Sequence, residues 1–382
     1  MNPEIRKLFP ATEKYVYLNS AAVAPLPITT VEAVLRQLKD VSSHGAEHYS
    51  DWIETKQRAR ALLAQNLGVN PSEIAFMRNT SDALAAVAAG FWAERDRLAG
   101  ENIVSFLGEF PANYYPWRSV RDRLGIELRL CRERGGGVDV DELISLIDDR
   151  TAIVAISAIQ FDSGFRSDLG RISAELKKRS GGRSLMVVDV IQALGATKFD
   201  MPSIGVDIVA GASHKWLCAP EGCGFLYISQ DIRDSLTPLS PGWMSVIEPW
   251  NFSDRDQPLK SDALAWESGT GCSSLFYGLE ESLKLLTEVG MDKIAAYLER
   301  LTDQLCEMLA GTDYEVISSR RPGEKSQIVC LRHRGGREAG AIASELADKQ
   351  IIVSARNGRL RVAPHFFNNE SDLDRLVSAL PR

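Results

Sequence analysis

Two residues near the middle of the chain have the types and the spacing for amine chemistry: Asp189 and, twenty-six positions later, Lys215. Asp189 closes the apolar run that begins at Leu185, and Lys215 follows the run Asp207 to Gly211 through a turn of small residues. Open α/β sheets bind ligands at the carboxyl edge of their strands, which is where both side chains would project. A lysine amine at that edge can condense with an aldehyde as a Schiff base and afterwards act as a base. A buried carboxylate beside a pyridine nitrogen keeps that nitrogen protonated and turns the ring into an electron sink. Taken alone the pair is weak, because Asp and Lys at strand ends are commonly solvated surface. The surroundings strengthen it: Ser213 and His214 precede the lysine, and the Gly-bearing segment Pro220 to Gly224 follows.

Holding such a pair requires a sheet, and the chain supplies the pattern of one. Short apolar runs occur at 74–77, 103–106, 152–157, 185–190, 208–210 and 224–228. Runs of this length bounded by Gly, Asp or Ser suit strands buried on both faces. Helical patterns lie between them at 81–92, 116–124, 140–147 and 167–178. Alternation of this kind predicts an α/β domain with a mainly parallel sheet, in which 224–228 is free to run antiparallel. From Leu275 the pattern changes to helices at 275–289 and 291–309 parted at Gly290, then strands at 314–318 and 327–332, a helix at 339–349, strands at 351–355 and 359–363 and a last helix at 371–380. The expected division is a large α/β domain over 18–272 and a smaller α+β domain over 273–382 that takes in the N-terminal arm 1–17.

Composition excludes several classes. The 382 residues carry a net charge of -7, which argues against a general nucleic-acid binder. The longest apolar run, 83–93, is well short of the roughly 20 residues that span a bilayer, and the N-terminus lacks a signal-like apolar core. Six cysteines, at 131, 218, 223, 272, 306 and 330, are scattered without a CxxC pair, as suits reduced thiols and a cytoplasmic protein.

The stretches DVIQALGATKFD and GVDIVAGASHKWLCAPEGCGFLYIS resemble the cofactor-lysine region of the class V aminotransferase family, which includes cysteine desulfurases, selenocysteine lyases, kynureninase and isopenicillin-N epimerase. The likeness extends from YLNSAAVAPLP to RVAPHFFNNESDLDRL. It implies the fold of type I pyridoxal-phosphate enzymes, with Lys215 bound to pyridoxal 5′-phosphate and Asp189 on its ring nitrogen. Thr80 and Ser81 match the family's phosphate loop, and hydroxyls at a helix start suit a phosphate in their own right. Ser213 and His214 resemble further phosphate contacts, and Gln192 the residue near the phenolic oxygen. Trp266 to Thr270 resembles FExGT, whose Gly269 and Thr270 would reach the phosphate of a neighbouring subunit, implying a homodimer. Arg361 aligns with the arginine that clamps the substrate α-carboxylate, and Arg356 is a second candidate; a guanidinium fork favours that role.

The chain also departs from the pattern. Phe110 stands where desulfurases carry a stacking histidine; it can stack but cannot shuttle protons. Only four residues separate Arg356 from Arg361, and none is the nucleophilic cysteine of sulfur-mobilising desulfurases. The family's pyridine-side asparagine is missing near 160–164, where Gln160 or Ser163 would substitute. The implied reaction is abstraction of the Cα proton of an amino acid by Lys215, leading to a lyase or aminotransferase outcome, with epimerase or kynureninase-like hydrolase chemistry as alternatives. A reading from another class is a zinc metallopeptidase, because His44, Glu47 and His48 match H-x-x-E-H; Gly45 within the motif weakens the helix it needs. Cys218 and Cys223, flanking the turn after Lys215, read as small buried residues.

Overall fold

The computed structural model describes residues 3–93, 98 and 100–382. Seven strands form the central sheet: β1 Ile74–Met77, β2 Asn102–Phe106, β3 Glu127–Cys131, β4 Thr151–Ser157, β5 Leu185–Asp189, β6 Ile208–Ala212 and β7 Gly224–Ile228. Their order is β1-β7-β6-β5-β4-β2-β3. All neighbours are parallel except β7, which runs antiparallel to both β6 and β1. The continuous apolar character of β5 and β6 follows from burial on both faces. Val187 joins one hydrophobic cluster and its neighbour Val188 the other, and Ala155 and Ile156 divide in the same way.

Within the central sheet expected and observed strands agree closely except at β3; the two-residue strands at 16–17, 133–134 and 137–138 are also unpredicted. As the edge strand, β3 is half exposed, and its alternation of charged and apolar residues (ELRLC) gives no apolar run to find. Two long helices were also not anticipated: α1 Ile28–His44 and α2 Tyr49–Leu67. The helix α3 Thr80–Ala93 follows β1 directly, with the Asn79 side chain accepting from the Asp82 amide.

Two helices, α4 Ser273–Val289 and α5 Met291–Met308, meet at Gly290, whose φ of +90° breaks the path at a position glycine tolerates. α4 packs on α1 and α2. Beyond α5 lies an antiparallel sheet of β8 Tyr314–Val316, β9 Val329–His333, β10 Ser354–Arg356 and β11 Arg359–Val362, in the order β8-β9-β11-β10. The β10–β11 hairpin turns on Asn357 and Gly358, with φ of +47° and +73°. Two consecutive positive values are what a two-residue hairpin turn with Asn-Gly requires. The N-terminal arm adds Val16–Tyr17 in parallel to Ile351–Ile352, and Val16 and Leu18 share a third hydrophobic cluster with Leu301, Val329 and Leu360. Among the described residues no helix is long and apolar enough to cross a membrane.

Candidate active site

Lys215 leaves β6 in a turn that its own backbone closes: the Ala219 amide donates to Ser213 O, and the Cys218 amide to Lys215 O. The next residue is pinned from two sides. Trp216 Nε1 donates to Gln192 Oε1 at 2.9 Å, and Trp216 O lies 3.0 Å from His365 Nε2. His365 is fully buried and held neutral, its pKa pushed down to about 3 by burial, so Nε2 is the donor of that bond. The lysine is thereby presented on a rigid edge, with its side chain buried.

A cavity of ≈ 330 Å³ opens over the carboxyl ends of β5 and β6 and is lined by Thr80, Ser81, Phe110, Asp189, Gln192, His214, Lys215, Arg356 and Arg361, with Ala21, Ala22, Asn79, Ala112, Phe161 and Ile191. Nine side chains that the sequence marks as site residues therefore meet in one place. Asp189 is 2% exposed and accepts one hydrogen bond, from the Ile191 amide at 2.8 Å. Burial raises its pKa to about 6, with that amide and the charge of Lys215 pulling the other way. Burial likewise lowers Lys215 to about 8; Asp189 opposes the shift, and Arg361 and Arg356 add to it. Desolvation disfavours each charged form, and mutual attraction restores part of it. Phe110 faces the lysine, with Nζ 5.6 Å from the ring centroid, and meets Phe161 edge-on at 5.1 Å.

The Thr80 hydroxyl is buried and has no hydrogen-bond partner among the described residues. An orphaned hydroxyl on the first residue of a fourteen-residue helix is what a phosphate group would satisfy. Gln192 spends its oxygen on Trp216 and donates one Nε2 hydrogen to Ala21 O at 3.0 Å, which leaves its second hydrogen for a ligand. Arg361 is 1% exposed; it donates to Phe161 O at 2.7 Å and to Ser354 Oγ at 3.2 Å.

Three expected residues lie elsewhere. The Ser213 hydroxyl donates to Pro220 O at 2.6 Å within its own turn and does not line the cavity. Gly269 and Thr270 line a separate cavity of ≈ 670 Å³ together with Lys56, Arg78 and Glu267. Gln160 is buried and donates to Glu109 Oε1 at 2.8 Å, while Ser163 accepts from the Phe165 amide. Cys218 and Cys223 are buried and their thiols pushed up by burial, Cys223 to about 12. No cysteine lines the Lys215 cavity.

The sequence reading missed Glu109. Its carboxylate is buried and accepts from the Ser157 amide at 2.7 Å, the Ser157 hydroxyl, Gln160 Nε2 and Asn113 Nδ2. It ties the loop that carries Phe110 to the end of β4, next to Asp189 in the sheet. Burial raises its pKa to about 7, against the hydrogen bonds of Ser157 and Gln160. An acid directly preceding an aromatic and a proline (Glu109-Phe110-Pro111) at a strand end was the available signal.

His44 ends α1 and His48 precedes α2, so the two do not share a helix. Both Nδ1 atoms contact Asp40 Oδ1, at 3.0 and 2.7 Å, and Glu47 is not part of that group. No glutamate is placed there as a peptidase base.

The family model for class-V aminotransferases matches residues 16–370. A probable cysteine desulfurase of Methanothermobacter thermautotrophicus is 26% identical, covering 99% of this chain and 96% of its own. Isopenicillin N epimerase of Amycolatopsis lactamdurans is also 26% identical, over 95% of this chain and 94% of its own. The crystal structure of the cysteine desulfurase CsdA from Escherichia coli is 25% identical with a TM-score of 0.85, over 99% and 97% of the two chains.

Proposed function

From a chain that belongs to the class-V aminotransferase family, we propose an enzyme that removes the Cα proton of an α-amino acid with Lys215 and completes either amino-group transfer or loss of a side-chain substituent. It is a pyridoxal-phosphate enzyme. The observation that carries the reading is the convergence of Lys215, Asp189 and the unpartnered Thr80 hydroxyl on one cavity. When bound, pyridoxal phosphate supplies an aldehyde that takes up amines and a ring that withdraws electrons from the substrate Cα.

The chain's own residues do the rest. Asp189 would hold a proton on the ring nitrogen, and its buried position would make that partner more favourable than the Ile191 amide alone. Lys215 would hold the cofactor's aldehyde carbon, and its amine, once free, would take the Cα proton at Nζ. A lysine held near pH 8 has a neutral fraction at physiological pH that an ordinary lysine lacks. Thr80 and Ser81 would receive the phosphate at the start of α3, and His214 lines the same cavity. Gln192 would offer its second amide hydrogen to the phenolic oxygen. Phe110 would stack on the ring without exchanging protons. Arg361 clamps the α-carboxylate.

The assignments of Gly269, Thr270 and Ser213 belong to the same proposal in a different form. Gly269 and Thr270 line a different cavity, which fits a homodimer in which they serve the partner's phosphate, and Ser213 is left shaping the lysine turn. The reduced, scattered cysteines support a cytoplasmic setting. The separate cluster under β8–β11 supports a smaller domain over 273–382 that includes the arm 1–17, although α4 packs on the larger one, 18–272. The test is a panel of L-amino acids presented to the pyridoxal-phosphate-loaded protein, scored for keto acid, sulfide and inverted product. Turnover of at least one substrate, abolished in Lys215→Ala, is expected; a loaded protein that exchanges no Cα proton of any amino acid with solvent deuterium contradicts the reading.

A further inference from the structure

The cavity around Lys215 carries more positive charge than the chemistry above uses. Lys215, Arg356 and Arg361 line it together with His214, whose pKa burial lowers, and Asp189 is its one carboxylate. Three arginines share one face of the β10–β11 hairpin with Ser354, because the register sets Arg356 against Arg359 and Ser354 against Arg361. Arg359 is neutralised by Glu133 at 2.5 Å. The other two are not. Among the described residues, Arg361 donates only to Phe161 O and Ser354 Oγ, and Arg356 only to the carbonyl of Ala355. Asp162, the acid whose charge reaches Arg361, is held by Asn357 Nδ2 at 2.8 Å and by Arg359 at 3.8 Å.

Two guanidinium groups facing one small cavity repel each other and the lysine. Burial pulls the pKa of Arg361 down to about 10 and the charge of Arg356 adds to the shift; both arginines also depress Lys215. Arg361, which is buried, bears most of that cost, and Arg356, which is exposed, is partly screened by solvent until an anion enters. The cofactor phosphate has its own donors at the start of α3, and the substrate α-carboxylate requires one arginine. One guanidinium is left over.

We infer that Arg356 is a specificity residue that binds an anionic group at the end of the substrate side chain while Arg361 holds the α-carboxylate, so that the enzyme takes α-amino acids with acidic side chains. The inference rests on the pyridoxal-phosphate reading and sharpens its substrate class. Of the remaining walls, Ala21, Ala22, Ala112, Phe161 and Ile191 offer no side-chain donor for a second carboxylate, and Asn79 offers only a neutral amide. Arg356 is the charged group that offsets its desolvation, through a charge-assisted bond from its guanidinium fork.

Calorimetry on the cofactor-loaded protein with succinate and propionate tests this, since neither has an amine that can react. Succinate is expected to bind roughly tenfold tighter or more, as one added charge-assisted contact warrants. Arg356→Gln should erase that advantage and leave propionate affinity unchanged, and Arg356→Lys should restore part of it. Arg361→Gln should weaken both ligands. In turnover, the KM for L-aspartate or L-glutamate should lie well below that of the matching amide, and Arg356→Gln should level the two. Equal binding of succinate and propionate by the native protein overturns the inference. So does an Arg356→Gln variant that weakens both ligands equally, because both arginines would then clamp a single carboxylate. A protein that gains no visible absorbance with pyridoxal phosphate defeats the underlying reading; a yellow protein that ignores the second carboxylate defeats this inference alone.

Discussion

At the scale of single residues, the site consists of ionisable groups kept out of water and left to pull on one another. Lys215→Ala removes both the covalent anchor and the base, so turnover should drop by about 10²–10⁴-fold or more with the fold intact. Steady-state kinetics beside a circular dichroism spectrum checks this, and unchanged turnover excludes Lys215 as the base. Glu109 has a different part: its four hydrogen bonds keep the Phe110 loop on the end of β4. Glu109→Gln turns one acceptor into a donor facing buried donors, which should cost about 1–3 kcal/mol in a denaturant titration. A variant as stable as the native protein would show that the network is not holding the loop. Lys215 and Asp189 were legible in the sequence because chemistry restricts the residue types at those strand ends. Glu109 was not, since a carboxylate before an aromatic looks like any surface acid until its three partners, 113, 157 and 160, are brought around it by folding.

At the scale of elements, close approaches of backbone decide where the lysine sits. Gly195 has a φ of +100°, and a Cβ there would lie 2.1 Å from Trp216 O, next to the lysine. Gly195→Ala must therefore shift the lysine turn as well as strain the backbone, and a loss of more than about 3 kcal/mol with weakened cofactor affinity is expected. Gly358, with a φ of +73° and open space around it, is the control: its alanine variant should lose only about 1–2 kcal/mol. Comparable melting temperatures for the two variants would contradict this account. The doubly buried strands and the Asn357-Gly358 turn could be read from periodicity and turn chemistry. The half-exposed β3 and the helices α1 and α2 could not, because their patterns depend on which neighbour covers them. The same limit applied to His44 and His48, whose spacing suggested one helix until Gly45 ended it.

At the scale of the whole molecule, the buried acids give stability a pH dependence of unusual sign. Asp189 and Glu109 have folded pKa values near 6 and 7, above those of the unfolded chain. Between about pH 4 and 7 the folded state binds more protons than the unfolded state, so these two groups make the cofactor-free protein less stable as pH rises, and their full penalty stands above pH 7. Urea midpoints of the native protein minus those of Asp189→Asn should therefore fall between pH 4 and 6; a flat or rising difference contradicts the burial of Asp189. Bound pyridoxal phosphate would relieve that penalty by placing a cation beside the carboxylate, which couples the fold to its cofactor. The most direct measurement of the central claim is reduction of the yellow, pyridoxal-phosphate-loaded protein with borohydride, followed by peptide mass mapping. The account predicts bleaching of the visible band and a single pyridoxyl label on Lys215. A label on any other lysine, or a protein that never turns yellow, would contradict it.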